Sequence, residues 1–331
     1  MRLRTWATAG GAALGLAGLG LLAGSFVPRP LPVHTPLAGD AYGVAPQLPQ
    51  LESLPDIEVT FLRCGVAVIP RAIAARGAFA PAMCPIAHSA VLIRHPRATF
   101  LYDTGLCSDI RRYLAPMPPL FQATLGRFTL EMPLAAHLER LNLSPRDLDF
   151  VLLSHLHWDH VSGLPDLPGV RLLVNRVEYA AALHGRPAPF QRDLVWKLLG
   201  DHSLELFDCD GPPCAGFHSS HDLLGDGSLQ LITLPGHTAG NTGLLITRSN
   251  GSRLFLLGDA AWVAENYQQP TTMHPLMWLL VTGDDATGRQ TLIELHRFAR
   301  RAPEVPLIAM HDAEMQERVM RAERQAAPAA R

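Results

Sequence analysis

Directly after the apolar run Phe150, Val151, Leu152 and Leu153, the chain places His155, His157, Asp159 and His160 within six residues. A short apolar run reads as a buried strand, and its C-terminal end is a rigid edge on which metal-competent side chains can be held. His155 and His157 are two apart, so in an extended or tightly turning backbone they lie on one side and can grip one ion. Asp159 and His160, just past the turn, can point at a second ion beside it. A solvated histidine-rich loop would have neither a strand behind it nor partners downstream, and this stretch has both.

The partners follow apolar runs of their own. Residues 229–234 lead to Pro235, Gly236 and His237, residues 254–258 lead to Asp259, and residues 305–310 lead to His311. Taken singly, His237 and His311 read as loop histidines and Asp259 as a turn or helix cap. Strand ends collect on one edge of a sheet, however, so separate strands can converge on one site. As a set the residues make a complete dinuclear centre, with His155, His157 and His237 for one ion, Asp159, His160 and His311 for the other, and Asp259 between them.

With these residues in place, the chain resembles the metallo-β-lactamase superfamily from about Val59 to about Asp312, matching its HxHxDH, His, Asp, His order in full. Within that superfamily it is similar to the N-acyl homoserine lactonases. Supporting stretches are Asp103, Thr104 and Gly105 before the motif, Asn175 to Tyr179 after it, and the run from Asp259 to Tyr267. The resemblance implies an α/β fold, a four-layered αβ/βα sandwich with the dinuclear metal site where the two sheets meet. It also implies a hydrolase of lactones or related esters. Where those lactonases carry a tyrosine three residues after the bridging aspartate, in contact with the substrate carbonyl, this chain has Trp262. An indole N–H can donate a hydrogen bond but has no hydroxyl, so the departure bears on the substrate and not on the metal site.

Two divalent ions bridged by Asp259 and a solvent oxygen lower that solvent's pKa enough to supply hydroxide near neutrality. Asp259 and Asp159 are therefore the expected catalytic carboxylates, Asp159 also as a proton carrier to the leaving group. Imidazole and carboxylate without thiolate suit two Zn2+ ions per chain, and the same donors accept iron or manganese. Trp158, Trp262 and Tyr267 are expected to add aromatic surface for substrate. Alternatives within the same fold are a hydrolase of thioesters or organophosphates and an iron-dependent persulfide-oxidising oxidoreductase. The chain has no GxSxG elbow and no P-loop to support a competing chemistry.

The 331 residues are 48% hydrophobic, enough for a sizeable core, and the formal net charge of −2 leaves no basic footprint for nucleic acid. Arg2 and Arg4 precede an uncharged apolar stretch, so residues 1–27 read as an export signal or a retained membrane anchor. The protein is then expected in the periplasm or on the outer face of the cytoplasmic membrane. Residues 28–55 read as a proline-stiffened linker and residues 56–325 as the catalytic domain. The expected partners are a small ester or lactone, a membrane if the N-terminal segment is retained, and possible homodimer formation; nucleic acid is not among them. Of five cysteines, Cys209 and Cys214 could close a short disulfide in an exported protein, while Cys64, Cys84 and Cys107 leave no pairing to choose.

Strand signals fall at residues 59–63, 89–94, 99–102, 170–174 and 243–247, with a long loop over 66–88 as a wall of the site. Spacing of Leu130, Leu134, Leu138 and Leu141 predicts one helix over 128–142. Ser144 and Pro145 predict a capped helical start, and Leu292, Leu295 and Phe298 predict a helix over 285–301. His218 and His221 read as a polar loop, because no apolar strand sets them, and Trp278 reads as helix packing.

Overall fold

The computed structural model describes residues 27–33, 54–78, 81–184 and 191–326. The expected signal or anchor, apart from Val27, and residues 34–53 of the expected linker lie outside the described residues. Among the described residues no helix is long and apolar enough to cross a membrane.

The first sheet contains β1 (Glu58–Pro70), β2 (Met83–His95), β3 (Ala98–Tyr102), β4 (Thr129–Leu130), β5 (Phe150–Leu152), β6 (Leu172–Asn175) and β7 (Leu204–Phe207), in the order β4-β1-β2-β3-β5-β6-β7. The second contains β8 (His221–Asp222), β9 (Leu229–Thr233), β10 (Thr242–Thr247), β11 (Arg253–Leu256) and β12 (Leu307–Ile308), in the order β12-β11-β10-β9-β8. Side chains alternate across a strand, and that period builds the layers. Phe100 and Tyr102 of β3 face Leu244 and Ile246 of β10 in a core between the sheets. Leu101 points the other way, into a second core with Ile110, Leu134, Leu138 and Leu198 from the helices over the first sheet. Leu245 likewise leaves the central core to join Trp278, Leu292, Leu295 and Phe298 from the helices over the second sheet. Helix, sheet, sheet and helix are thus four layers, as expected for an αβ/βα sandwich.

Three local expectations are corrected. Both ends of the 66–88 stretch are strand: β1 and β2 pair in register from Glu58↔Arg94 to Pro70↔Met83, broken by one bulge between Arg63 and Gly65, and among the described residues a short helix Arg71–Ala74 and the turn after it join them. Beyond Gly65 this hairpin is only partly buried, which blunts the apolar alternation that marks a strand. The expected helix over 128–142 splits, because Pro133 caps a helix at Leu134–Arg140 and Leu130 belongs to β4. The expected linker is not free throughout: Leu31 is buried and its N–H donates to the Pro270 carbonyl at 2.8 Å. The helix Asp285–Arg301 has the predicted bounds, and Ser144 stands at the predicted cap position, its N–H and its hydroxyl both donating to Asp147 Oδ2 at 2.7 Å.

Candidate metal centre

β5 ends at Leu152, and the chain turns through Ser154 and His155 into the short helix Trp158–Val161 that carries Asp159 and His160. β9 leads to His237, β11 to Asp259, and β12 to His311. All four strands deliver these residues to one edge, between the sheets. The six histidine and aspartate side chains His155, His157, His160, His237, Asp259 and His311 are buried, and Asp159 is 12% exposed.

The donor atoms fall into three groups, each within 4.8 Å: His155, His157 and His237; His155, His160 and Asp259, which shares His155 with the first; and His88, Asp159 and His311. Asp259 lies among them. Its Oδ1 is 3.3 Å from His160 Nε2, and its Oδ2 is 3.4 Å from His237 Nε2 and 3.0 Å from His311 Nε2. His160 groups with His155 and Asp259, whereas Asp159 and His311 of the expected second set group with His88.

Three of the imidazoles are held from behind. His160 Nδ1 is 2.7 Å from Asp103 Oδ2, and His311 Nδ1 donates to the Ala87 carbonyl at 2.7 Å. Ser154 Oγ donates to Asp103 at 2.8 Å, so at 2.9 Å it accepts from His155 Nδ1. Each ring thus turns the lone pair of Nε2 inward, the arrangement that metal-binding histidines need. Asp103 reaches this post in a left-handed backbone with φ 56°. Glu178, from the helix after β6, accepts from Leu156 N at 2.8 Å and Gly240 N at 2.9 Å, tying the HxHxDH turn to the His237 loop.

Buried polar atoms are nearly always hydrogen-bonded. Here His155 Nε2, His160 Nε2, Asp259 Oδ1 and both nitrogens of His88 have no hydrogen-bond partner, while His237 turns its Nε2 inward, 2.8 Å from His157 Nδ1. Unpartnered imidazole nitrogens gathered beside the Asp159 and Asp259 carboxylates fit divalent cations. The electrostatics agree. Burial and the neighbouring imidazoles push His157 down to about 4 and His237 to about 3, leaving neutral rings at neutral pH. Burial also opposes charge on His160 and His311, but Asp259 and its fellow carboxylates outweigh it and raise both. A field that draws protons onto buried imidazoles would be met equally by cations.

A cavity of about 760 Å³ opens over the centre, with His88, Asp159, Asp259 and His311 on its floor. Its walls are largely apolar, from Val66, Ile69 and Ile86 of the hairpin to Phe128, Met277 and Val281. Trp158 and Trp262 line it. The Trp262 indole N–H donates to Asp259 Oδ2 at 3.0 Å. Tyr267 does not belong with them: it is buried off the cavity wall with its hydroxyl on the Leu307 carbonyl at 2.8 Å. The short helix Glu265–Gln268 turns it into the core, where a buried phenol needs an acceptor. Cys209 and Cys214 are free thiols, like the other three cysteines, so the expected disulfide is absent. His218 and His221 join no metal-competent group among the described residues.

Sequence reasoning missed His88. It lies on β2, far upstream of the motif, and its one signal was a histidine beside the apolar run Ala90 to Ile93.

The family model described as the metallo-beta-lactamase superfamily matches residues 85–299, more than half of the chain. The N-acyl homoserine lactonase AttM of Rhizobium radiobacter is 27% identical over 186 residues, covering 54% of this chain and 66% of that protein. The chain thus spans just under two thirds of that relative's length. A probable metallo-hydrolase of Mycobacterium tuberculosis, Rv2300c, is 28% identical over 292 residues, covering 82% of this chain and 84% of that protein. Among solved structures, an N-acyl homoserine lactone hydrolase with N-hexanoyl-L-homoserine bound at its catalytic metal centre superimposes with a TM-score of 0.60. Identity is 19%, with 80% of this chain and 96% of that chain covered.

Proposed function

Because the chain belongs to the metallo-beta-lactamase superfamily, we propose that it is a metal-dependent hydrolase that opens lactones or cleaves related esters bearing an apolar acyl group. The observation that carries this reading is the convergence of unpartnered imidazole and carboxylate atoms on the floor of an apolar cavity. The donors would be His155, His157 and His237 on one side and Asp159 and His311 on the other, with Asp259 and His160 between. Imidazole and carboxylate without thiolate favour zinc. Bound there, divalent ions would supply a nucleophile from water at neutral pH and polarise a carbonyl.

The chain's own residues do the rest. Val66, Ile69, Ile86 and Val281 exclude water from an acyl chain, and Trp158 closes the wall beside Phe128. Asp159, the more exposed of the centre's two carboxylates, faces the cavity and is placed to pass a proton to the departing oxygen. The Trp262 N–H is committed to Asp259, so it orients that carboxylate and does not serve the substrate carbonyl. Relatives with lactonase activity in their names support a lactone, and the broader match to a probable metallo-hydrolase supports the ester class as a whole.

The test pairs metal content with hydrolysis of a long-chain acyl homoserine lactone. Two zinc ions with ring opening are expected, and Asp259→Ala should leave at most one ion and lower the rate by several orders of magnitude, the scale of losing metal-activated water. Wild-type metal content and rate in that variant would sink the assignment. Two ions without ring opening would move the substrate to thioesters or phosphotriesters. We further propose that the enzyme acts outside the cytoplasmic membrane, on the strength of Arg2, Arg4 and the apolar stretch after them; recovery of activity only in the cytosolic fraction would exclude this.

A further inference from the structure

We propose that His88 is an additional protein ligand of the ion held by Asp159 and His311. This inference rests on reading the centre as a divalent-metal site. Nothing in the HxHxDH pattern calls for a histidine on β2, and the structure nevertheless places one 4% exposed at the floor of the cavity.

The first argument is its lack of any other occupation. Both ring nitrogens of His88 are buried without a hydrogen-bond partner. Its ring packs edge-on to Phe128 at 5.3 Å between centroids, edge-on to His311 at 5.6 Å and beside Trp158 at 5.7 Å. An imidazole confined among aromatics, with neither nitrogen satisfied, is costly to bury unless something binds it.

The second argument is distance. His88 Nδ1 lies 3.5 Å from Asp159 Oδ2, and His311 Nε2 lies 3.4 Å from the same oxygen. A hydrogen bond between imidazolium and carboxylate closes to about 2.7–2.9 Å, as His160 and Asp103 do at 2.7 Å. Two donors on one tetrahedral ion, each at about 2.0–2.1 Å, stand about 3.3–3.4 Å apart. The spacings of His88 and His311 from Asp159 are those of ligands sharing an ion, and not those of a bonded pair, and all three donors lie within 4.8 Å of one another.

The third argument is placement. The bulge between Arg63 and Gly65 resets the hairpin register so that Gly65 lies opposite His88. A Cβ on Gly65 would come within 2.8 Å of the Thr129 carbonyl and 2.9 Å of Leu106. Strand β4 therefore packs directly on the bulge, and residue 88 cannot slide. Bulges are common where a strand must re-aim a side chain beside an active site. Further along β2, the Ala87 backbone is bonded to His311 in both directions, its carbonyl to the ring and its N–H to the His311 carbonyl at 2.9 Å. The same strand thus orients one ligand of the ion and contributes another.

The experiment compares wild type, His88→Phe and His88→Cys, each stripped with a chelator and titrated with Zn2+ and with Co2+. Wild type should take two ions. His88→Phe, which keeps the aromatic packing, should bind the first ion unchanged and the second at least 10–100-fold more weakly, the loss known for partners one shell further out. A cysteine reaches an ion about as far as a histidine Nδ1 does. His88→Cys should therefore regain the second Co2+ and add a thiolate-to-cobalt charge-transfer band that wild type lacks, even if His88→Phe folds poorly. Matching melting of the metal-free forms separates ligation from packing. Two ions of unchanged affinity in His88→Phe, together with no charge-transfer band in His88→Cys, would overturn the assignment of His88 alone. A wild type that takes up no ion would overturn the metal centre itself, and His88 with it.

Discussion

At the residue scale, the centre depends on groups that hold its ligands in place without being ligands themselves. Trp262 is the plainest case. Its N–H reaches Asp259 Oδ2 at 3.0 Å, and its ring packs against His311 at 5.0 Å between centroids. Trp262→Phe keeps the ring and removes the donor. We expect metal retention to fall by about 10–100-fold, as for other hydrogen bonds to metal ligands, read by dialysis against a graded chelator; unchanged retention would mean the indole serves packing only. The ligands themselves were legible because HxHxDH concentrates them in one turn. His88 was not, since a histidine with no ligand neighbour on its own strand gives no motif spacing to read. Tyr267 failed for the opposite reason: nearness to Asp259 in sequence did not survive the turn of the Glu265–Gln268 helix, which sends its hydroxyl to Leu307.

At the element scale, a loop ligand is only as well placed as what lies beneath it. The His237 loop rests on the first turns of the Asp285–Arg301 helix. Asp284 N donates to the Gly236 carbonyl at 2.9 Å, and Thr291 Oγ1 to the Pro235 carbonyl at 2.6 Å. Gly236 has φ +127°, and a Cβ there would lie 2.2 Å from the Gly288 Cα. Gly236→Ala should therefore cost about 2–4 kcal/mol, an overpacked contact added to an unfavourable backbone, and should lower metal content as His237 is displaced. Gly225, at φ +73° with open space around it, is the control: Gly225→Ala should show the backbone cost of about 1–2 kcal/mol alone. Equal melting shifts in the two variants would exclude the helix as the support of His237. The helix itself was legible from its apolar stripe, whereas its contact with Gly236 joins segments that only the packed layers bring together.

At the scale of the whole molecule, the two sheets must stay in register for β5, β9, β11 and β12 to present one centre. One clasp lies at the sheets' other connection, where Asp226 of the β8 to β9 loop meets the β2 to β3 turn. Asp226 Oδ2 is 3.0 Å from His95 Nε2 and 2.8 Å from Arg97 Nη2, and Oδ1 accepts from Ser228 N at 3.0 Å. Burial alone would raise the Asp226 carboxyl, but Ser228, His95 and Arg97 together hold it below the usual range. A depressed carboxyl stabilises the fold fully above its unfolded pKa of about 3.9 and loses that contribution as pH falls through the folded value. Asp226→Asn should lower stability by up to about 1 kcal/mol at pH 7 in low salt and remove part of the acid sensitivity below pH 4, measured by urea midpoints across pH. Identical pH profiles would show that the clasp contributes nothing. The sequence by itself determined the strand-end ligands, the α/β alternation and the composition of the centre, because periodicity and motif spacing are local properties of a chain. Only the tertiary structure decided which donors share an ion, that Trp262 serves Asp259, that Asp103 and Glu178 stand behind the motif, and that β2 brings His88 to it. Those relations are distances between segments far apart in the chain, and no local pattern encodes a distance until the sheets have packed.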